Sequence, residues 1–141
     1  MVEEILKQVL KQEFEAEKRY TQQINRINNP TIRKILLELR GEEIEHKDEC
    51  IERLKELGNN FDASEFKDDL EIKTPLEEDD IDEIVKMLEL DTEKEREAAR
   101  LYTGYSNEVN NLEISTLLVK FKEDEIHHAE KIQNLIEQLK A

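Results

Sequence analysis

The chain has 141 residues, 40% of them charged, and a formal net charge of −15. This length is typical of one domain, and the acidic balance disfavours nucleic acid as a partner, because phosphate binding depends on Lys and Arg. The single Cys excludes an internal disulfide and a four-cysteine metal site within one chain, whereas the charge suits either cation binding or solubility alone.

Apolar residues recur at spacings of three and four over the first 28 residues, which is the period of one α-helix face. This pattern predicts a first helix from about residue 2 to 28. The sequence Asn28-Asn29-Pro30 then ends it, because Asn caps helices and Pro fits the first turn of the next helix. A second helix with the same period reaches Gly58, a residue type that commonly ends helices.

The segment 58–80 lacks sustained periodicity and is rich in acidic residues. It is much longer than the turn of two to five residues that joins antiparallel neighbours, and it is long enough to run beside a whole helix. We expect it to be a crossover held in place by Phe61, Phe66 and Leu70, with a short helix of its own.

Two more helical patterns follow the crossover, with their apolar faces between Ile81 and Val109 and between Ile114 and Leu139. The sequence therefore predicts an all-α protein and a single domain, 1–141. Its expected architecture is a four-helix bundle of two helical hairpins, 1–57 and 81–141, joined by the long crossover 58–80.

The two hairpins are related by an internal repeat. Residues 1–57 laid over residues 83–139 without a gap give 15 identical pairs, where chance would give about four. Among the pairs are Tyr20 with Tyr102 and Asn29 with Asn111. The chain is thus a tandem duplication.

Six ionisable residues interrupt the apolar helix faces, at equivalent positions of the two repeats. They are Glu13, Glu43 and His46 in the first half and Glu95, Glu125 and His128 in the second. Burying an unpaired carboxylate costs several kcal/mol, so four of them would exceed the stability of a typical domain. Two divalent cations would neutralise the four carboxylates.

The spacing of these residues also favours metal binding. Glu and His three positions apart lie on one helix face, so each Glu-x-x-His unit can offer an oxygen and a nitrogen to the same ion. One Glu from each of two helices and one Glu-x-x-His from each of the others form the dimetal site of helical bundles. Such a ligand set suits two iron ions, and manganese or zinc is also compatible.

At these residues, and in the stretches "EFEAEKRYT" and "EEIEH", the chain resembles the ferritin-like di-iron proteins, and among them the rubrerythrins. The resemblance covers both hairpins and implies a ferritin-like bundle. It also implies that Glu13 and Glu95 are terminal ligands and that Glu43 and Glu125 bridge the two ions. His46 and His128 would then be the terminal imidazoles.

The sequence departs from the rubrerythrin pattern in two places. Rubrerythrins usually carry a rubredoxin-like iron domain with two Cys pairs, and this chain has one Cys. The resemblance therefore implies an external electron donor, such as a rubredoxin-like protein. Rubrerythrins also have an additional Glu on helix three where this chain has Ala98. Asp91, one turn before Glu95, is the candidate seventh carboxylate, and a solvated surface position is the alternative.

Four further residues are candidates for supporting the ligands by hydrogen bonds. Tyr20 and Tyr102 follow the terminal Glu residues by seven positions on the same face, and plain core tyrosines are the alternative. Glu42 and Asp124 each precede a bridging Glu, and the resemblance implies that such acids orient a ligand His. A solvated helix face would explain them equally well.

Three functions follow from this interpretation. The first is a rubrerythrin-like oxidoreductase that reduces hydrogen peroxide or dioxygen with electrons from an external donor. The second is a ferritin-like ferroxidase that handles iron, and the third is a bundle that metal only stabilises. We also expect a cytoplasmic protein without membrane segments, since the sequence shows no long apolar run and no secretory leader. The family resemblance, together with exposed apolar residues, implies a homodimer.

Overall fold

A computed structural model describes residues 1–59, 62–66 and 70–141. These residues form no strand, and their helices are a short 3-10 helix, Ala63–Phe66, and four α-helices: α1 Val2–Ile24, α2 Pro30–Glu56, α3 Ile81–Glu108 and α4 Leu112–Lys140. The predicted all-α class is confirmed. None of the described helices is long and apolar enough to cross a membrane.

The described chain divides into two compact units, Met1–Glu78 and Asp79–Ala141. The first contains the hairpin of α1 and α2, and the second contains the hairpin of α3 and α4. The two predicted hairpins are therefore confirmed, while the single domain 1–141 stays a prediction.

Helix α1 ends at Ile24, four residues before its predicted end at residue 28. The backbone N–H groups of Arg26 and Ile27 both bond to the carbonyl of Gln23, which tightens and closes the last turn. The side chain of Asn25 bonds the crossover instead, donating to the carbonyl of Glu71 at 2.9 Å and accepting from the N–H of Lys73 at 2.6 Å. Contacts with a distant segment, which apolar periodicity does not reveal, explain the early end.

The last carbonyls of the first helix in each hairpin receive a side-chain donor from the second helix. In the first hairpin the Arg33 guanidinium donates to the carbonyl of Ile24, the last residue of α1, and to that of Ile27 in the turn that follows. In the second, the Ser115 hydroxyl donates to the carbonyl of Ser106 at 2.9 Å. Ser115 and Ser106 are the repeat equivalents of Arg33 and Ile24. In both hairpins a carbonyl that lacks a partner within the first helix accepts a hydrogen bond from the second helix, but the donor is a different residue type.

The starts of α2 and α4 and the end of α2 lie where the sequence predicts them. The Asn29 carboxamide accepts from the N–H groups of Thr31 and Ile32, and its repeat equivalent Asn111 accepts from Ile114 at 3.1 Å. At the other end of α2, Gly58 has a φ of +77°, and the N–H of the next residue bonds back to the carbonyl of Leu54. This is a Schellman ending, which requires a left-handed residue and favours glycine.

The described part of the crossover lies against the first hairpin. The ring of Phe66, in the predicted short helix, packs edge-on against Phe14 of α1 with centroids 5.7 Å apart. The Arg40 guanidinium of α2 donates to the carbonyl of Leu70 at 3.1 Å. The expected roles of Phe66 and Leu70 are confirmed in this respect, whereas Phe61 lies outside the described residues.

Candidate metal centre

The first hairpin brings its three predicted ligands together. His46 Nδ1 lies 3.4 Å from Oε1 of Glu13 and 3.9 Å from Oε1 of Glu43. One ligand atom from each residue falls within 4.8 Å of the others. All three side chains are buried, with at most 5% of their surface exposed. A buried group of two carboxylates and one imidazole therefore spans α1 and α2.

The second hairpin repeats this arrangement. His128 Nδ1 lies 3.4 Å from Oε2 of Glu95 and 3.9 Å from Oε1 of Glu125. These residues are also buried, and one ligand atom from each is within 4.8 Å of the others. The sequence repeat is thus reproduced in the geometry of the two groups.

Regular helices hold the donors in place. Glu43 and His46 are three residues apart on α2, so both side chains lie on the same face. The rest of that face is apolar and fully buried, with Leu36, Leu39 and Leu54 at 0% exposure. Burial of this face stabilises the hairpin and turns the two polar side chains inward with the apolar ones.

The carboxylate of Glu13 is held in an environment that disfavours its charge. Burial raises the pKa of Glu13 well above its ordinary value, the negative charge of Glu43 raises it further, and His46 opposes the shift in part. A divalent cation among these oxygens would remove the reason for the raised pKa. The donor set fits a divalent transition-metal ion, because carboxylate oxygen and imidazole nitrogen are its common ligands.

We expect the stability of the metal-free protein to decrease as pH rises. Below the ordinary carboxyl pKa, near 4.5, Glu13 is protonated in both the folded and the unfolded chain. Between that value and its raised folded pKa, only the folded state keeps the proton, so each increase in pH favours unfolding. Thermal unfolding of metal-free protein between pH 5 and pH 8 should therefore give falling melting temperatures.

Glu13→Gln isolates this contribution, since the amide resembles the protonated carboxyl. Its melting temperature should fall less between pH 5 and pH 8 than that of the parent. Glu15→Gln, at an exposed position of the same helix, is the matched control and should follow the parent. Parallel curves for all three proteins would contradict the assignment of the effect to Glu13.

Both tyrosines that were predicted to support the ligands lie in the buried core. Tyr20 is 0% and Tyr102 1% exposed. The Tyr102 ring lies edge-on to Phe121 at 6.4 Å, and the Arg19 guanidinium lies 5.0 Å from the centre of the Tyr20 ring. Their hydrogen bonding to the ligand carboxylates stays a prediction.

The other predicted carboxylates differ in exposure. Asp91 is fully buried, so the solvated surface position considered for it is wrong. Contact between Asp91 and a metal stays a prediction. Glu42 is exposed and Asp124 is half-buried, and their roles in orienting the ligand histidines stay predictions as well.

Sequence reasoning missed a partly buried ion pair beside the first group of ligands. The Lys47 ammonium on α2 donates to Oε1 of Glu17 on α1 at 2.6 Å, and Lys47 also lies 5.7 Å from the centre of the Phe14 ring. Glu17 is one turn from Glu13, and Lys47 follows His46 directly. The sequence signal for this ion pair was the presence of two acids, Glu13 and Glu17, four residues apart on an otherwise apolar face of α1.

The lone thiol lies close to the same ligands. Cys50 is completely buried, one turn beyond His46 on α2. Burial raises the pKa of the Cys50 thiol well above its ordinary value, and the charges of Glu13 and Glu49 act in the same direction. A protonated, buried thiol is a poor nucleophile and packs as a small apolar group.

A family model described as rubrerythrin matches residues 4–139 of the chain. The structure is similar to that of a hypothetical protein from Pyrococcus furiosus, with a TM-score of 0.79, 18% sequence identity, and coverage of 99% of this chain and 90% of the other. No curated protein matches the sequence. The structural similarity extends over both hairpins and confirms the predicted fold class, an all-α helical bundle.

Proposed function

Because the chain belongs to the rubrerythrin family, we propose that it binds two iron ions and reduces hydrogen peroxide or dioxygen with electrons from an external donor. The observation that carries this proposal is the repeated group of two buried carboxylates and one imidazole, one group in each hairpin. A protein that needed only a stable core would gain nothing from six such residues on buried helix faces.

Each hairpin would supply three ligands. In the proposed site Glu13, Glu43 and His46 of the first hairpin and Glu95, Glu125 and His128 of the second would hold the ions, with the terminal and bridging roles that the family resemblance implies. Four carboxylates match the four positive charges of two divalent ions, and the imidazoles bind as neutral nitrogen donors. Two iron ions bound by these residues would supply redox chemistry, the two electrons needed to reduce a peroxide O–O bond.

The residues around the ligands have separate tasks in this proposal. Burial of the donors excludes bulk water and strengthens every charge interaction among them. The ion pair of Glu17 and Lys47 ties α1 to α2 within one turn of Glu13 and beside His46, which fixes the spacing of those two donors. Precise spacing matters, because small displacements of ligands reduce metal affinity and reactivity.

Electrons must then reach the site from outside this sequence. The sequence has one Cys, so it cannot provide a cysteine pair that cycles between thiol and disulfide. That thiol is also buried, and burial raises its pKa. We propose a rubredoxin-like protein as the donor. Reduction of one hydrogen peroxide molecule consumes two electrons and two protons and yields two water molecules, so two one-electron deliveries complete a cycle.

Anaerobic mixing of the protein carrying two Fe(II) with hydrogen peroxide or with dioxygen tests the proposal. We expect faster oxidation by peroxide, both ions retained, and full re-reduction by added rubredoxin and its reductase. Stopped-flow absorbance gives the rates, and iron analysis after gel filtration gives the fate of the metal.

Two adjacent histidines provide a matched pair for this experiment. His128→Ala should lose the fast reaction with peroxide, whereas His127→Ala should keep it because that side chain is 84% exposed. Preference for dioxygen with growth of a ferric mineral in a large particle would favour the ferroxidase instead. Metal that binds but does not react would favour the purely structural role.

A further inference from the structure

A cleft is formed by α1 and the short 3-10 helix of the crossover. Its volume is about 370 Å³. Three lysines, one glutamate and two phenylalanine rings line it: Lys7, Lys11, Phe14, Glu15, Lys18 and Phe66. The five lining residues on α1 fall within about 100° of the helix circumference and so lie on one side of it. We call this feature the lysine cleft.

The lysine cleft is positive, although the chain as a whole is strongly acidic. Its three ammonium groups and one carboxylate add to a formal charge of +2, whereas the chain carries −15. Lys7 is half-buried and Lys11 is exposed, and neither is paired with a carboxylate among the described residues. Their charges are therefore available to an outside partner that is negative.

The second hairpin has a groove of different character at the equivalent position. Its volume is about 270 Å³, and four of its lining residues are repeat equivalents of residues in the lysine cleft: Glu89, Glu93, Arg96 and Arg100. Two acids thus replace Lys7 and Lys11, and an arginine replaces Phe14. The four charges cancel. The shared hairpin fold accounts for a groove in each half, but it does not account for the positive charge and the aromatic rings of the first.

The floor of the lysine cleft lies beside two of the proposed ligands. Phe14 directly follows Glu13 in the chain. The ammonium groups of Lys18 and Lys47 lie 5.5 and 5.7 Å from the centre of the Phe14 ring. Lys47 in turn directly follows His46. A partner seated in the cleft would therefore rest on a ring whose neighbours in the chain and in space adjoin both ligands.

Electron transfer slows steeply with distance, so the donor that the proposed function requires must bind close to the ligands. We propose that the lysine cleft is the docking site of this donor, a small redox protein with an acidic face around its redox centre. The inference rests on the proposed function and adds to it the place of contact and the charge of the partner.

The docked donor would use both the charges and the rings of the cleft. Its carboxylates pair with Lys7 and Lys11, and an apolar side chain at the centre of its face covers Phe14 and Phe66. The acidic remainder of the chain repels the same partner in other orientations, so attraction and repulsion together select one arrangement. Each encounter transfers one electron, which oxidises the donor by one unit and reduces one ferric ion of the proposed pair to ferrous.

A small anion such as phosphate is the alternative occupant, because ammonium groups also bind phosphate. Lys7 and Lys18 are eleven residues apart, which is about 16 Å along the axis of α1. Charges spread over this length favour a partner with several separated carboxylates over a single compact anion. We therefore assign the cleft to a protein surface.

Titration of the protein with a rubredoxin of net negative charge, its iron replaced by zinc, tests docking without electron transfer. At about 0.15 M salt distant charges are screened. Lys7→Glu combined with Lys11→Glu should raise the dissociation constant at least about 10-fold, and Glu forms helices as well as Lys does. Lys86→Glu combined with Lys120→Glu is the matched control. It makes the same change of charge at exposed helical positions of the second hairpin and should bind nearly as the parent does.

The same variants are then compared in electron delivery. Re-reduction of the oxidised iron-loaded protein by a limiting amount of reduced rubredoxin should be at least about 10-fold slower in the Lys7→Glu, Lys11→Glu protein than in the control. Equal dissociation constants for this variant and the parent would overturn the proposal, as would an equal loss in the control pair or no binding by the parent.

Two further measurements separate the remaining possibilities. Tight binding of inorganic pyrophosphate by the parent, without binding of rubredoxin, would make the cleft a small-anion site and would overturn the proposal. Reaction of the chemically reduced parent protein with peroxide, in the absence of rubredoxin, tests the iron chemistry by itself. Failure of docking and failure of the proposed function therefore give different results.

Discussion

Replacing Glu43 by Ala is expected to lower the metal content of the protein from two ions per chain to at most one. Glu43 is 2% exposed and lies 3.9 Å from Nδ1 of His46. In the proposed bridging role it would bind both ions, so its removal would take one oxygen from each and leave four positive charges facing three carboxylates. Substitution of a residue that only hydrogen-bonds to a metal ligand commonly lowers metal affinity by about 10- to 100-fold. Loss of a ligand itself should therefore lower the affinity by more than that.

Metal analysis after dialysis against a weak chelator measures this effect. Glu125→Ala, the repeat equivalent, should behave like Glu43→Ala. Glu45→Ala removes an exposed carboxylate two positions away, with no proposed role at the site, and should retain two ions. Two tightly held ions in the Glu43→Ala protein would show that the bridging assignment is wrong.

Loading with metal is expected to raise the melting temperature at pH 7 by roughly 10 °C. Without metal, Glu13 and Glu43 repel each other in a buried site, or Glu13 holds a proton, and both states weaken the fold. Free metal at a thousand times its dissociation constant contributes about 4 kcal/mol to the folded state. Each kcal/mol moves the transition of a domain of this size by about 2–4 °C.

Calorimetry of chelator-treated and reloaded protein gives both temperatures. Zinc, which undergoes no redox reaction, should stabilise as iron does if ligation alone is responsible. The Glu43→Ala protein should show a much smaller increase, and the Glu45→Ala protein the full one. Equal melting temperatures with and without metal would mean that the six residues do not form a shared site.

The proposed ligands could be predicted from the sequence because their spacing is local. Glu43 and His46 share a helix face whatever the rest of the chain does, and the same holds for Glu125 and His128. The internal repeat then aligned Glu13 with Glu95 and gave two independent copies of one pattern. The helix caps at Asn29 and Gly58 were equally predictable, since each depends on the intrinsic preference of one residue.

Features that depend on contacts between distant segments could not be predicted in this way. The early end of α1 depends on bonds from Asn25 to the crossover almost fifty positions later. The partly buried pair of Glu17 and Lys47 becomes visible only when two helices are placed side by side. Periodicity also left open whether Asp91 was buried, because a single acid at the edge of an apolar face fits both situations.

Fusion of the two repeats into one polypeptide has a consequence for how the site could evolve. Two identical hairpins that associated as separate chains would carry every substitution twice, on both sides of their symmetry axis. In the fused chain each half changes alone: Asp91 is buried where the first half has Val9, and Glu17 pairs with Lys47 where the second half has Ala99. One half can thus acquire an acid or an ion pair while the other keeps its proposed ligands, which would allow the two proposed metal positions to become chemically unequal.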